Sequence, residues 1–364
     1  MMKSDLLKYL ENYKDDTLDR VPFNEVDALL FASLAYPKYH EIIGDMDECD
    51  SNKLLELLEQ YDQSSLTNRK KLNIALLEQV CSIARFNGIK VVYYSHSINK
   101  DIGEQFQAVS FLFNDFIIVS FCGTDNTVVG LKEDMNMSYL TITPSEIDAI
   151  NYLKKIISYY PEKQLILVGH SKGGRLALSS AKNISRKENI RDIYIFDSPN
   201  YQNDFYDSDY KLIDNKVHNY LPEESIVGRL INEPRKPIIV KSYNSLIQQH
   251  DISSWIIKDN HFLISIEGFS KQSTRIVNAL NHNFENLDSG TKKGFTDTLF
   301  GLIDRLEIHE FKSKEENVSL IKRALKHIPH EWKNTPKNER VMLRKIIFQL
   351  LKDYIFGSDK TEEK

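Results

Sequence analysis

Cysteine is scarce in this chain: Cys49, Cys81 and Cys122 are the only three in 364 residues. They are odd in number, widely spaced and set mostly in apolar runs, which excludes a disulfide framework and fits buried thiols in a reducing compartment. Long hydrophobic runs are missing as well. The longest, Phe106 to Cys122, is interrupted by Asn114 and Asp115, so no transmembrane segment is expected. Met1 to Arg20 alternate charge with leucine and hold no stretch of signal-peptide length. The expected location is cytoplasmic. Charge of one sign is lacking too: 47 Lys and Arg against 52 Asp and Glu leave a net charge of -5, which excludes a general nucleic-acid footprint. There is no Gly-x-Gly-x-x-Gly run, no phosphate loop and no Cys-x-x-Cys pair. His327 and His330 are separated by Ile-Pro, which breaks the helical geometry needed to share a metal. Neither a metal nor an organic cofactor is expected, and Lys312 to Lys326 alternates sign like a solvated helix face.

What is present is an ordinary globular composition, 41% hydrophobic and 27% charged, long enough for one large core with appendages. Residues 1–88 are helical in pattern, with apolar residues at three- and four-residue spacing over Glu25 to Tyr36, Asn52 to Tyr61 and Asn68 to Asn87. Residues 89–268 alternate strands with helices. Strands are predicted at Lys90 to His96, Gln105 to Phe113, Phe116 to Phe121, Leu165 to Val168, Asp192 to Phe196, Lys216 to Leu221 and Ile238 to Tyr243. Helices are predicted at Pro144 to Tyr160 and Lys172 to Ser185. Such an alternation implies a mostly parallel, doubly wound sheet. Residues 271–364 return to helix, most clearly at Glu315 to His327 and Lys337 to Ile355, with Gly357 to Lys364 a polar, frayed tail.

The most informative stretch is Leu165-Ile-Leu-Val-Gly169-His170-Ser171-Lys172-Gly173-Gly174. A buried-strand run ends in Gly-x-Ser-x-Gly and turns at once into helix-forming sequence, the context of a nucleophile elbow. Gly169 and Gly173 relieve the steric crowding of so tight a turn, and His170 packs behind it. A serine hydroxyl needs a base to take its proton and an acid to orient that base. In a doubly wound scaffold both should follow later strands, in the order Ser, acid, His. Asp197 ends the next strand and is the leading acid, with Glu223 and Glu224 as alternatives. His250 lies in a loop past the last convincing strand and is the leading base, with His261 as the alternative. The oxyanion of a tetrahedral intermediate needs two N–H donors. Lys172, at the start of the helix, supplies one, and the Gly123-Thr124 turn supplies the other through Thr124.

Phe121-Cys-Gly-Thr-Asp125, Gly130-Leu-Lys-Glu-Asp134-Met-Asn136 and Val168-Gly-His-Ser-Lys-Gly-Gly174 together resemble the class 3, fungal-lipase-like branch of the α/β-hydrolases. The similarity is closest to a bacterial subfamily of lipase-like domains and runs from Val26 through Trp255. It implies an α/β-hydrolase fold, here with helical N- and C-terminal additions. The implied activity is a serine esterase or lipase acting on small-molecule or lipid esters, with peripheral membrane contact compatible with that chemistry. It also assigns the oxyanion role to Thr124. Cys122 replaces the arginine usual in the branch, and Ser225-Ile-Val227 stands where the branch usually carries its catalytic aspartate. The second departure moves the acid to Asp197 and leaves open a catalytically inactive, hydrolase-shaped binding or regulatory protein. Lys172 is either a cation beside the nucleophile or a solvated helix residue.

Overall fold

The computed structural model describes residues 4–305 apart from 126, 232–235 and 286. The helices expected at Glu315 to His327 and Lys337 to Ile355, the tail from Gly357, and His327 and His330 lie outside the described residues. The chain forms two compact units. The first comprises residues 1–98, 106–123 and 144–283; the second comprises 99–105, 124–143 and 284–364.

The first unit begins with helices α1 (Asp5–Tyr13), α2 (Glu25–Ser33) and α3 (Tyr39–Ile42), the short strand β1 (Cys49–Asp50), and helices α4 (Ser51–Gln60) and α5 (Asn68–Ser82). Helix α2 starts at Glu25 because Asn24 caps it. The Asn24 side chain accepts from the Val26 and Asp27 N–H groups at 2.9 and 3.1 Å, and the Asp27 carboxylate accepts from the Asn24 N–H at 3.1 Å. Strands β2 (Lys90–Asn99), β3 (Glu104–Leu112) and β4 (Phe116–Phe121) follow. After helix α6 (Val128–Asn136) of the second unit come α7 (Pro144–Tyr159), β5 (Gln164–His170), α8 (Lys172–Lys182), β6 (Ile190–Phe196), α9 (Ser208–Lys211), β7 (Val217–Pro222) and β8 (Ile238–Val240). A hairpin of β9 (Ile257–Lys258) and β10 (His261–Phe262) precedes α10 (Lys271–Glu285) and α11 (Ser289–Arg305).

The sheet has eight strands in the order β1 to β8. The β1–β2 and β3–β4 pairs are antiparallel, and β4 through β8 are parallel. The central strands read as continuous apolar runs because both faces are covered, and alternation at period two sorts the side chains. Ile118, Ile166, Val168, Tyr194 and Phe196 join one core with Leu29, Leu30 and Phe31 of α2. Ile117, Val119, Leu165, Leu167, Ile193 and Ile195 join the other with Leu153 and Ile156 of α7 and Leu176 and Ala177 of α8. This is the mostly parallel, doubly wound sheet the alternation predicts, and the N-terminal helices supply one of its covering layers. Helices α6 and α9 fall outside the segments where the spacing predicts helix; α6 carries Gly130 in its first turn and gives a weak periodic signal.

Within the second unit, α6 is opened by Thr127, whose hydroxyl accepts from the Gly130 N–H at 3.1 Å, and α11 packs against it. The Glu133 carboxylate of α6 accepts from the Gln105 N–H at 3.1 Å.

Candidate active site

Ser171 sits between the last residue of β5 and the first of α8, with φ 57° and ψ -131°. A non-glycine residue is held there at a cost of about 1–3 kcal/mol, and the neighbouring backbone shows what holds it. The Ser171 N–H donates to the Phe196 carbonyl at 2.9 Å, and its own carbonyl accepts from Gly174 at 3.0 Å. A Cβ on Gly169 would strike the Gly173 backbone, and one on Gly173 would strike the Phe121 carbonyl. Both glycines of Gly-x-Ser-x-Gly are therefore required by close backbone approach. Gly123 lies against the same turn: a Cβ there would come within 3.4 Å of the Ser171 Cβ.

Asp197 follows β6 with a φ of 43° and is 1% exposed. Its N–H donates to the Tyr220 carbonyl of β7 at 2.9 Å. The carboxylate is divided between two tasks. Oδ2 meets His250 Nδ1 at 2.6 Å, whereas Oδ1 accepts from the Ser225 hydroxyl at 2.5 Å and the Gly228 N–H at 3.0 Å. A Cβ on Gly228 would come within 2.6 Å of that same Oδ1, so the glycine lets the backbone donor reach it.

His250 ends a short 3-10 turn, Leu246–His250, and its loop is tied down on both sides. Glu224 Oε2 accepts from the Leu246 N–H at 2.8 Å, and the Glu224 N–H donates to Gln249 Oε1 at 2.9 Å. The buried Trp255 donates its indole N–H to the Gln249 carbonyl at 2.8 Å. From the elbow side, His170 Nε2 lies 2.8 Å from the His250 carbonyl oxygen and its Nδ1 lies 2.8 Å from the Tyr36 hydroxyl. The two imidazoles are 4.5 Å apart between centroids. Burial first, then the neighbouring His250 and Arg69, holds the His170 pKa well below the ordinary 6.5.

The structure thus brings Asp197 onto His250 and leaves the alternatives elsewhere. Glu223 accepts from the Ser265 hydroxyl at 2.9 Å, Glu224 holds the Leu246 turn, and His261 is exposed and paired with Glu25 at 2.8 Å. Thr124 belongs to the second unit, where its hydroxyl donates to both oxygens of Asp134 at 2.7 Å. Lys172 corrects one expectation: it is 1% exposed, not a solvated helix residue. Tyr36, Ser225, Gly228 and Gln249 had no assigned role at the level of sequence. Only Ser225 carried a signal, as the departure from the branch's aspartate. Among the described residues no group of three or more His, Cys, Asp or Glu side chains could hold a metal ion, and no helix is long and apolar enough to cross a membrane.

Parallel strands, a strained serine between β5 and α8, and an acid and a histidine after later strands define an α/β-hydrolase fold of the lipase-like kind. The family described as Mbeg1-like matches residues 80–301, more than half of the chain, and the protein belongs to that family. No curated protein matches the sequence. Among solved structures, the chain is similar to the lipase from Rhizopus microsporus var. chinensis, with 15% identity and a TM-score of 0.39 over 68% of this chain and 82% of that one. It is likewise similar to lipase II from Rhizopus niveus, with 13% identity and a TM-score of 0.38 over 70% of this chain and 89% of that one.

Proposed function

We propose that the protein is a serine hydrolase of carboxylic esters, of small molecules or of lipid acyl groups. The observation that carries this reading is the Asp197–His250 contact at 2.6 Å in a chain whose serine is held in a strained strand-to-helix turn. An Asp on Nδ1 fixes the tautomer that leaves Nε2 to take a proton. In this mechanism Ser171 Oγ attacks the ester carbonyl carbon as His250 Nε2 accepts the hydroxyl proton. The N–H of Lys172, at the N-terminus of α8, is a donor to the oxyanion. His250 then protonates the leaving alcohol, and water attacks the acyl-enzyme with His250 again as base.

Cys49 and Cys122 are buried free thiols, as a reducing compartment keeps them. The competing reading, a hydrolase-shaped binding protein without turnover, rested on the missing aspartate at Ser225. That Ser225 instead donates to Asp197 speaks against it. Hydrolysis of p-nitrophenyl esters of graded chain length by wild type and Ser171→Ala tests the proposal. Turnover that Ser171→Ala abolishes is expected; turnover that survives the substitution would overturn it.

A further inference from the structure

The imidazole of His170 takes no part in the mechanism above, yet it is buried at the elbow with both ring nitrogens engaged. The His250 carbonyl oxygen only accepts hydrogen bonds, so His170 Nε2, 2.8 Å away, must be the protonated nitrogen. The other nitrogen faces the Tyr36 hydroxyl at 2.8 Å. With the buried ring held neutral and Nε2 carrying its proton, Nδ1 is bare and accepts from the Tyr36 hydroxyl. One tautomer alone, protonated at Nε2 and bare at Nδ1, satisfies the series from Tyr36 through His170 to His250.

We propose that His170 is a positioning residue, an imidazole held by Tyr36 that fixes the backbone of the His250 loop to the residue beside the nucleophile. The inference rests on the hydrolase reading of Ser171 and His250. The loop needs such a tether because its opposite side is already pinned by Glu224 and Trp255 through Gln249, leaving the elbow-facing carbonyl as the remaining hinge. Groups facing His170 favour the neutral ring: the His250 imidazole lies tilted against it with centroids 4.5 Å apart, and the Arg69 guanidinium carbon lies 5.4 Å from the Tyr36 ring centroid. Tyr36 comes from just beyond α2, so the N-terminal helical segment contributes to the geometry of a site whose nucleophile and base lie far downstream.

The test is the second-order rate of fluorophosphonate labelling of Ser171 across pH, in the full chain. His170→Leu removes both hydrogen bonds and should slow labelling about tenfold or more, with a displaced pH profile. His170→Gln keeps an N–H at the ε position and should recover most of the rate. Tyr36→Phe should cause a smaller loss. Wild-type labelling rate and pH profile in a folded His170→Leu would overturn the proposal, as would a His170→Gln no faster than His170→Leu. A second measurement needs no substitution. 15N-histidine spectra of the wild-type chain should give His170 as the Nε2–H tautomer at neutral pH; protonation at Nδ1 overturns it. Absence of labelling in wild type would instead sink the hydrolase reading. The His250 signals in His170→Leu then decide the positioning role alone, unshifted resonances contradicting it.

Discussion

Ser225 donates its hydroxyl to Asp197 Oδ1 at 2.5 Å, while the opposite oxygen of the same carboxylate holds His250 at 2.6 Å. An acid that must keep one oxygen on a histidine is most constrained when its other oxygen is also occupied. The serine standing where the lipase branch usually has its aspartate is therefore a hydrogen-bond partner of Asp197, the proposed acid. Asp197→Asn should lower kcat by about 10⁴-fold, because the amide favours the wrong imidazole tautomer. Ser225→Ala, which leaves His250 its partner but Oδ1 only the Gly228 N–H, should lower kcat about five- to tenfold. Steady-state ester hydrolysis by both variants checks this, and an unchanged kcat in Ser225→Ala would contradict the positioning role.

The elbow makes a steric prediction. A methyl group on Gly173 meets the Phe121 carbonyl, whereas one on Gly301 in α11 meets nothing within 4 Å. Gly173→Ala should destabilise the protein by about 1–3 kcal/mol or more and abolish activity. Gly301→Ala should be neutral or stabilise by up to about 1 kcal/mol. Urea unfolding of the two variants beside wild type measures the contrast.

A third prediction concerns the N-terminal layer. Arg85 donates Nε and an NH2 group to the two oxygens of Asp27 at 2.9 and 2.5 Å, and both side chains are 0% exposed. It also reaches the carbonyls of Asp16 and Val21 at 3.0 and 3.1 Å. Removing the cation alone leaves a buried carboxylate unpaired, so Arg85→Met should cost about 3–5 kcal/mol. The double variant Arg85→Met with Asp27→Asn should recover part of that loss, which a denaturation series can resolve.

Much of this site follows from local chemistry in the sequence. Gly169 and Gly173 announce a backbone collision, an apolar run before them announces β5, and chain order then narrows the acid to Asp197, Glu223 or Glu224 and the base to His250 or His261. Residues that act through distant contacts leave no such mark. Tyr36 lies 134 positions from His170, and nothing in its neighbours' spacing distinguishes it from a core tyrosine. Gln249 and Glu224 clamp each other across 25 positions with no periodic pattern. The two-residue strand β1 is too short for alternation to register, and Leu246 takes a φ of 49° that its side chain gives no reason to expect.

The depressed pKa of His170 has a thermodynamic consequence of definite sign. In the unfolded chain this histidine takes up a proton near its ordinary value of about 6.5, whereas in the folded protein it stays neutral. Between those two values the unfolded state binds more protons, so the stabilisation present above about pH 6.5 is lost as the pH falls, at up to about 1.4 kcal/mol per pH unit. His170→Gln has no such proton to bind. Its melting temperature should therefore depend less steeply on pH than that of wild type from about pH 6.5 down to 5; parallel slopes would contradict a buried, neutral His170.

The most direct test of the account is intact-protein and peptide mass spectrometry after exposure to a fluorophosphonate, which reacts preferentially with an activated serine. The account predicts a single adduct on Ser171 in wild type, absent from Ser171→Ala and strongly reduced in His250→Ala. A folded wild-type protein that remains unmodified, or an adduct at another residue, would contradict the assignment of Ser171, His250 and Asp197 as a working triad.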